Sequence, residues 1–143
     1  MNREEFALEY LRSVDTVFKM SLQKKIMESA QGKTFVLRYI AHNKGDMQPG
    51  EISEVMGISN ARITATLNNL EKNGLVTRRI DPDDRRKVLV GLTSAGEDWV
   101  EKYNQIIAEG LSRIFDFLGE YDAKEFIRIT AKLATMELIF DKL

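Results

Sequence analysis

Apolar residues recur at three- and four-residue steps through most of this chain and alternate in one short stretch. Phe6, Leu8, Leu11, Val14, Val17, Phe18, Leu22 and Ile26 follow the helical period, which predicts one long helix over about residues 4–30. Gly32 is placed to end it, because glycine takes the left-handed cap conformation without a Cβ penalty. A short helix over 34–42 follows, with Phe35, Leu37, Ile40 and Ala41 inward. The Asn43-Lys44-Gly45-Asp46 cluster is a turn. Pro49 suits the first turn of a further short helix whose apolar side is Ile52, Val55 and Met56, since a missing N–H costs nothing there.

After the tight connection Gly57-Ile58-Ser59, Ser59 is a good N-cap for a helix over 60–73, and Gly74 stands where a C-terminal glycine belongs. Residues 75–80 and 87–92 are β-prone and flank Asp81-Pro82-Asp83-Asp84-Arg85-Arg86, a turn-rich tip, so they form a hairpin. Ser94 with Glu97 has the spacing of a capping box for a long helix to about residue 118. Asp122 with Glu125 has the same spacing for a last helix ending near Phe140. The order is four helices, a hairpin and two helices: a mainly α fold with a small β-hairpin. Three regions follow, an N-terminal helix (1–31), a central domain (32–93) and C-terminal helices (94–143).

On a wheel of 100° per residue, Ile63, Leu67 and Leu70 share one side of the 60–73 helix. The other side carries Ala61, Arg62, Ala65, Asn68, Asn69 and Lys72, with Thr64 at its margin and Ser59 and Asn60 at its start. Glu71 lies near the boundary with the core. Small alanines let a backbone approach a groove floor, arginine pairs with guanine edges, and asparagine matches adenine. An ordinary solvated face has a similar composition. Context decides between them: a short helix, a tight turn and a second helix of this kind make a helix-turn-helix, whose second helix enters the major groove. The hairpin directly after it supplies a wing.

Average composition at first points away from nucleic acid. The 143 residues carry a net charge of −1, but the charge is unevenly spread. Residues 31–92 hold ten basic and seven acidic side chains, while 93–143 hold six and ten. A positive module on a negative body is one footprint of phosphate contact. The basic side chains concentrate in the hairpin as Arg78, Arg79, Arg85, Arg86 and Lys87. Asp84, two residues before Arg86, is close enough to hold its guanidinium in one rotamer. An arginine so fixed fits a narrow minor groove, where the potential is most negative. Surface salt bridges of little consequence are the plain alternative.

Composition also excludes functions. The chain has no Cys and one His, His42, which removes thiol chemistry and leaves no second His or Cys for a zinc site. No glycine-rich phosphate loop is present, and Asp83 and Asp84 sit beside arginines and are read as positioning them, not as a catalytic carboxylate pair. Enzymatic activity, a metal site and a cofactor are therefore not expected. The absence of an apolar run of membrane-spanning length, and of a signal peptide at residues 1–5, points to a cytoplasmic protein with no membrane partner.

From Leu70-Glu71-Lys72-Asn73-Gly74-Leu75-Val76 through Arg78-Arg79 and Asp81-Pro82-Asp83-Asp84-Arg85-Arg86 to Val88-Leu89-Val90-Gly91-Leu92-Thr93-Ser94-Ala95-Gly96, the chain resembles the MarR (multiple antibiotic resistance regulator) family of bacterial winged-helix transcription factors. That family's Asp-x-Arg wing motif falls on Asp84 and Arg86, and its Leu-Thr-x-x-Gly on Leu92, Thr93 and Gly96. Motif detail covers residues 34–100; the flanking helices match in layout. Where many relatives carry arginine, this chain has Ala65 and Asn69. The resemblance implies a homodimer built by the terminal helices, a palindromic double-stranded DNA operator, and often a small-molecule effector lodged between the dimerisation helices and the winged domain. Phe18, Phe35, Tyr39 and Trp99 are candidates to line such a crevice, although aromatics of this kind are more often simply core, and no ligand residue is assigned. The expected role is a repressor, with a winged-helix protein-interaction module lacking DNA binding as the competing one.

Independently of the resemblance, the last two helices carry wide apolar stripes. Trp99, Tyr103, Ile106, Ile107, Leu111, Ile114 and Leu118 line one; Phe126, Ile129, Leu133, Met136 and Phe140 line the other, widened by Ile127, Ala131, Ala134 and Ile139. Burying one such large side chain yields ~1.5–3 kcal/mol, so a second subunit is the expected cover.

Overall fold

The structure, a computed structural model, describes residues 2–17, 19, 24, 32–43 and 45–136. Its elements are α1 (Arg3–Val17), α2 (Gly32–His42), α3 (Pro49–Met56), α4 (Asn60–Lys72), β1 (Val76–Ile80), β2 (Val88–Leu92) and α5 (Ser94–Ala134). α1 ends at Val17 and Lys19 lies in a turn; Phe18, Leu22 and Ile26 of the continuation expected to residue 30 lie outside the described residues, as do Ile139 and Phe140. The mainly α fold with a two-stranded wing is as expected. The chain divides into two compact units, residues 1–107 and 108–143.

The first unit has its core where α2, α3, α4 and the hairpin meet. Val36, Leu37, Ile40, Met47, Ile52, Ile63, Leu67, Leu70, Val76, Val90 and Val100 form it. The strands pair antiparallel, from Val76 opposite Leu92 to Ile80 opposite Val88. Met47 adds an isolated bridge on the other edge of β2 that the turn-like sequence around it conceals. Its N–H donates to Val90 O at 2.9 Å, and Val90 N–H donates to Met47 O at 2.8 Å. This bridge ties the segment before α3 to the wing.

Four expectations need correction. On α2, Val36 is buried in place of Phe35, which is half-buried and stacked on Tyr39 with ring centroids 5.5 Å apart. On α3, Val55 is exposed and Ser53 is buried; the Ser53 Oγ lies 2.9 Å from Gly50 O and 3.0 Å from Asn60 Oδ1, so its polarity is satisfied. The cap of α5 falls one residue earlier than Ser94. Thr93 Oγ1 accepts from Gly96 N–H at 3.0 Å and donates to Gly74 O, which joins the helix start to the end of α4. Finally, Asp122 caps nothing. α5 breaks at Gly119 (φ 78°, ψ 166°) and is helical again at once, so Asp122 lies inside the second stretch, and Glu125 accepts from Arg128 Nε at 3.0 Å.

α1 begins with a capping box that the apolar period does not reveal: Asn2 N–H donates to Glu5 Oε2 at 2.8 Å and Glu5 N–H to Asn2 Oδ1 at 2.9 Å. No α1 residue is buried. In the second unit Phe117, Tyr121, Phe126, Ile127, Ile129, Leu133 and Met136 are all exposed. No described helix is long and apolar enough to cross a membrane.

Among the glycines of the first unit, Gly96 has the least room for a side chain. A Cβ there would fall well inside van der Waals contact of the Leu75 carbonyl oxygen and 3.3 Å from Leu92 Cδ2. Gly96→Ala is therefore expected to destabilise by ~1–3 kcal/mol or more, read as a drop of about 2–4 °C in Tm per kcal/mol. Gly50, with nothing within 4 Å of its added Cβ, provides the contrast: Gly50→Ala should raise stability by ~0.4–1 kcal/mol. Equal melting temperatures for the two variants would show that α5 does not seat against Leu75.

Candidate nucleic-acid interface

α4 is seated by one side and presented by the other. Ser59 (φ −69°, ψ 155°) caps it by accepting from Arg62 N–H at 3.2 Å. Ile63 and Leu67 are fully buried and Leu70 is 1% exposed, as the wheel predicts. Ala61, Arg62, Thr64, Ala65, Asn68, Asn69 and Lys72 are exposed, with Ser59 and Asn60 exposed at the start. Asn60 nevertheless serves the framework, because its Oδ1 holds the buried Ser53.

The far end of α4 closes in a double hydrogen-bonded turn. Gly74 (φ 72°) donates to Glu71 O, and Leu75 N–H donates to Leu70 O, each at 3.0 Å. This left-handed glycine turn satisfies the last carbonyls and launches β1 directly off the helix. Asn73 Nδ2 donates to Asn69 O at 2.8 Å and lies 3.2 Å from Asn69 Oδ1, so Asn69 is partly engaged within its own helix.

The wing arginines divide into three environments. Arg86 is at the tip, its side chain 90% exposed, and donates through Nε to Asp84 Oδ1 at 3.1 Å and through Nη2 to Asp84 Oδ2 at 3.2 Å. The Arg86 backbone N–H also donates to Asp84 Oδ1, at 3.1 Å. This is the two-pronged pairing expected from the Asp-x-Arg spacing. The tip is further set by Asp81 N–H to Lys87 O and Lys87 N–H to Asp84 O, both 2.9 Å. Arg85 and Lys87 are exposed beside it.

Arg79 instead forms an ion pair with Asp46. Gly91 permits this: a Cβ there would lie 2.6 Å from Asp46 Oδ1. Arg78 turns back onto α4, donating through Nε to Glu71 Oε2 at 2.9 Å and through Nη2 to Asn68 Oδ1 at 2.6 Å. The Arg78 hydrogen bond holds the Glu71 carboxyl below its usual range, and Glu71 in return raises Arg78. Sequence reasoning missed both acids. Glu71 and Arg78 face each other only because of the turn at Gly74, and Asp46 lies 33 residues from Arg79.

A shallow hollow of about 370 Å³ lies where α2, α3 and α4 meet, lined by Phe35, Val55, Met56, Ile58, Arg62 and Thr66 with Gly32. Of the four aromatic candidates for an effector crevice, Phe35 borders it; Tyr39 and Trp99 pack against the core, and Phe18 lies outside the described residues. His42 is the last residue of α2, a helix-end position.

Comparison with known proteins agrees with this arrangement. The MarR family model matches residues 32–88. The HTH-type transcriptional repressor MdtR of Bacillus subtilis (strain 168) is 30% identical over 131 residues, covering 85% of this chain and 81% of MdtR. The chain belongs to the MarR family. It is accordingly a transcriptional regulator rather than an enzyme. Among solved structures, a MarR family protein from Bacillus stearothermophilus superposes with a TM-score of 0.74 at 22% identity, covering 94% of this chain and 96% of that one. A mutant of MepR from S. aureus, solved bound to an oligodeoxyribonucleotide, superposes with a TM-score of 0.62 at 21% identity, covering 90% and 96%. These two likenesses establish the winged-helix fold of the MarR-family chain.

The Arg86 side chain, and then its backbone N–H, hold the Asp84 carboxyl below its ordinary value. A depressed carboxyl contributes stability above the unfolded-state pKa and loses it as pH falls through the lowered folded value. Carboxyl-carbon NMR titration should find a lower midpoint for Asp84 in the native chain than in Arg86→Ala. Coincident midpoints would mean that the pair does not form in solution.

Proposed function

We propose that this MarR-family regulator is a homodimeric repressor that sets α4 of each subunit into successive major grooves of a palindromic operator, with the wings gripping beside them. The observation that carries it is the presented face of α4, from Ala61 to Lys72, beside a tip arginine held forward by Asp84. In this role Ser59 and Asn60 bring the helix N-terminus to a phosphate, and Ala61 and Ala65 allow close approach. Arg62, Thr64, Asn68 and Asn69 face bases, and Lys72 faces the backbone. Arg85, Arg86 and Lys87 engage the flanking backbone and minor groove, while Arg78, Arg79 and Asp84 orient the wing. The repressor role follows MdtR by its name, and duplex DNA as partner is supported by the MepR complex.

Dimerisation is supported by the uncovered apolar side chains. Phe6, Leu8 and Leu11 on α1, with Phe126, Ile129 and Leu133 on α5, are each between 48% and 60% exposed. Covering their exposed halves gives ~1 kcal/mol each or somewhat more, doubled by two-fold symmetry, which is comparable with or above the ~4–15 kcal/mol cost of association. Regions 1–31 and 94–143 supply this interface and 32–93 the DNA-binding domain, although Trp99 and Val100 pack with the winged core. Half-sites then fall about 10 bp apart, or a multiple of that. A small molecule preferring the non-binding arrangement by ~1–3 kcal/mol would release the operator roughly 5–150-fold.

Light scattering should give twice the 16.4 kDa chain mass, and gel shift with the chain's own upstream region should give a retarded, salt-sensitive band. Arg86→Ala is expected to weaken that binding roughly tenfold or more and to leave the melting temperature nearly unchanged. An unaltered dissociation constant removes the wing from the mechanism. A folded dimer that retards no promoter fragment at low salt would favour the interaction-module role.

A further inference from the structure

Asn68 stands in the middle of the presented face of α4, and its amide is not free to choose a partner. A guanidinium only donates hydrogen bonds, so the atom facing Arg78 Nη2 at 2.6 Å is the amide oxygen. The guanidinium is itself locked from the other side, with Nε 2.9 Å from Glu71 Oε2 and Nη2 3.4 Å from Glu71 Oε1. Asn68 and Glu71 are three residues apart and therefore neighbours on the helix surface, and Arg78 spans both from β1. The side chain of Arg78 is 28% exposed, the lower figure among the wing arginines in ion pairs, against 50% for Arg79 and 90% for Arg86.

A free asparagine reads adenine with both ends of its amide, accepting from N6 and donating to N7. Here one of the two lone pairs of the amide oxygen is taken by Arg78 on β1, which ties the accepting end to the wing and turns the amide toward donation. We infer that Arg78 is a positioning residue that biases Asn68 toward donating, so that it favours guanine or thymine, whose major-groove polar atoms are all acceptors, over the two-ended contact with adenine. This rests on the DNA-binding role proposed above, and it replaces the adenine preference expected of an unconstrained asparagine. Glu71 belongs to the same device, since it fixes the guanidinium that fixes the amide. Specificity at one base is thus set from the wing, by a residue that does not itself reach that base.

The test is selection from a randomised duplex pool by the full-length native chain and by Asn68→Ala, Arg78→Ala and Glu71→Gln, each first shown to be folded by circular dichroism and a melting curve. The position that loses its preference in Asn68→Ala identifies the base read by Asn68. The native chain is expected to select guanine or thymine there. Arg78→Ala should shift that one position to adenine by roughly 5–150-fold in relative affinity, the span of one bidentate contact. Glu71→Gln keeps the arginine but loosens it, and should move the same position in the same direction by less. Adenine at that position in the native selection overturns the inference. So does an unchanged base in both Arg78→Ala and Glu71→Gln, or the lack of any position that responds to Asn68→Ala. A native dimer that enriches no sequence at all would instead overturn the DNA-binding role, and a uniform affinity loss without a base change would leave Arg78 as a phosphate contact and refute its positioning role.

Discussion

The orientation of the wing depends on how α4 ends. Ile63, Leu67 and Leu70 fix the rotation of the helix about its axis, because turning any of them outward would expose a fully packed side chain at ~1.5–3 kcal/mol. Gly74 then reverses the chain in a left-handed conformation that closes two hydrogen bonds onto Leu70 and Glu71. Thr93 pins the same corner from the other side, through its hydroxyl to Gly74 O and its N–H to Leu75 O at 3.1 Å. With rotation and exit both fixed, β1 leaves α4 at one angle, and the hairpin is carried rigidly by the helix. The tight seat of Gly96 against Leu75 brings the start of α5 into the same joint. The end of α4, the base of the wing and the first turn of α5 are thus joined at one corner by hydrogen bonds and close packing.

Much of this was legible in the chain because it is local. The periodicity of 63, 67 and 70, the cap at Ser59, the turn at Gly74 and the Asp84–Arg86 pair each involve residues within about one or two turns of one another, where spacing alone determines contact. What escaped lies across the fold. Met47 pairs with Val90, Asp46 with Arg79, and Arg78 with both Asn68 and Glu71. Each needs two elements already placed, and no period in the sequence marks them. Smaller misplacements have a common physical cause. Several residues near an element end satisfy the same pattern, and packing selects among them: Thr93 over Ser94 as a cap because it also reaches Gly74 O, and Val36 over Phe35 as a core residue because the ring stacks on Tyr39 instead.

In the DNA-binding role proposed above, the acids of the positive region have a consequence for how its arginines act. Three of its arginines, Arg78, Arg79 and Arg86, are each paired with a carboxylate, on Glu71, Asp46 and Asp84. For affinity alone this is wasteful: a neutralised arginine releases less counterion atmosphere when it meets a phosphate than a free one. The arrangement gives up electrostatic strength and gains fixed geometry. A paired guanidinium has lost most of its rotamer freedom before any duplex arrives, so less entropy is spent at the moment of contact. The net charge of −1 for the whole chain is consistent with the same trade. A regulator that relied on bulk attraction would carry a basic excess over its full length, whereas this chain confines its excess to the central domain and pairs three of the seven acids there with arginines.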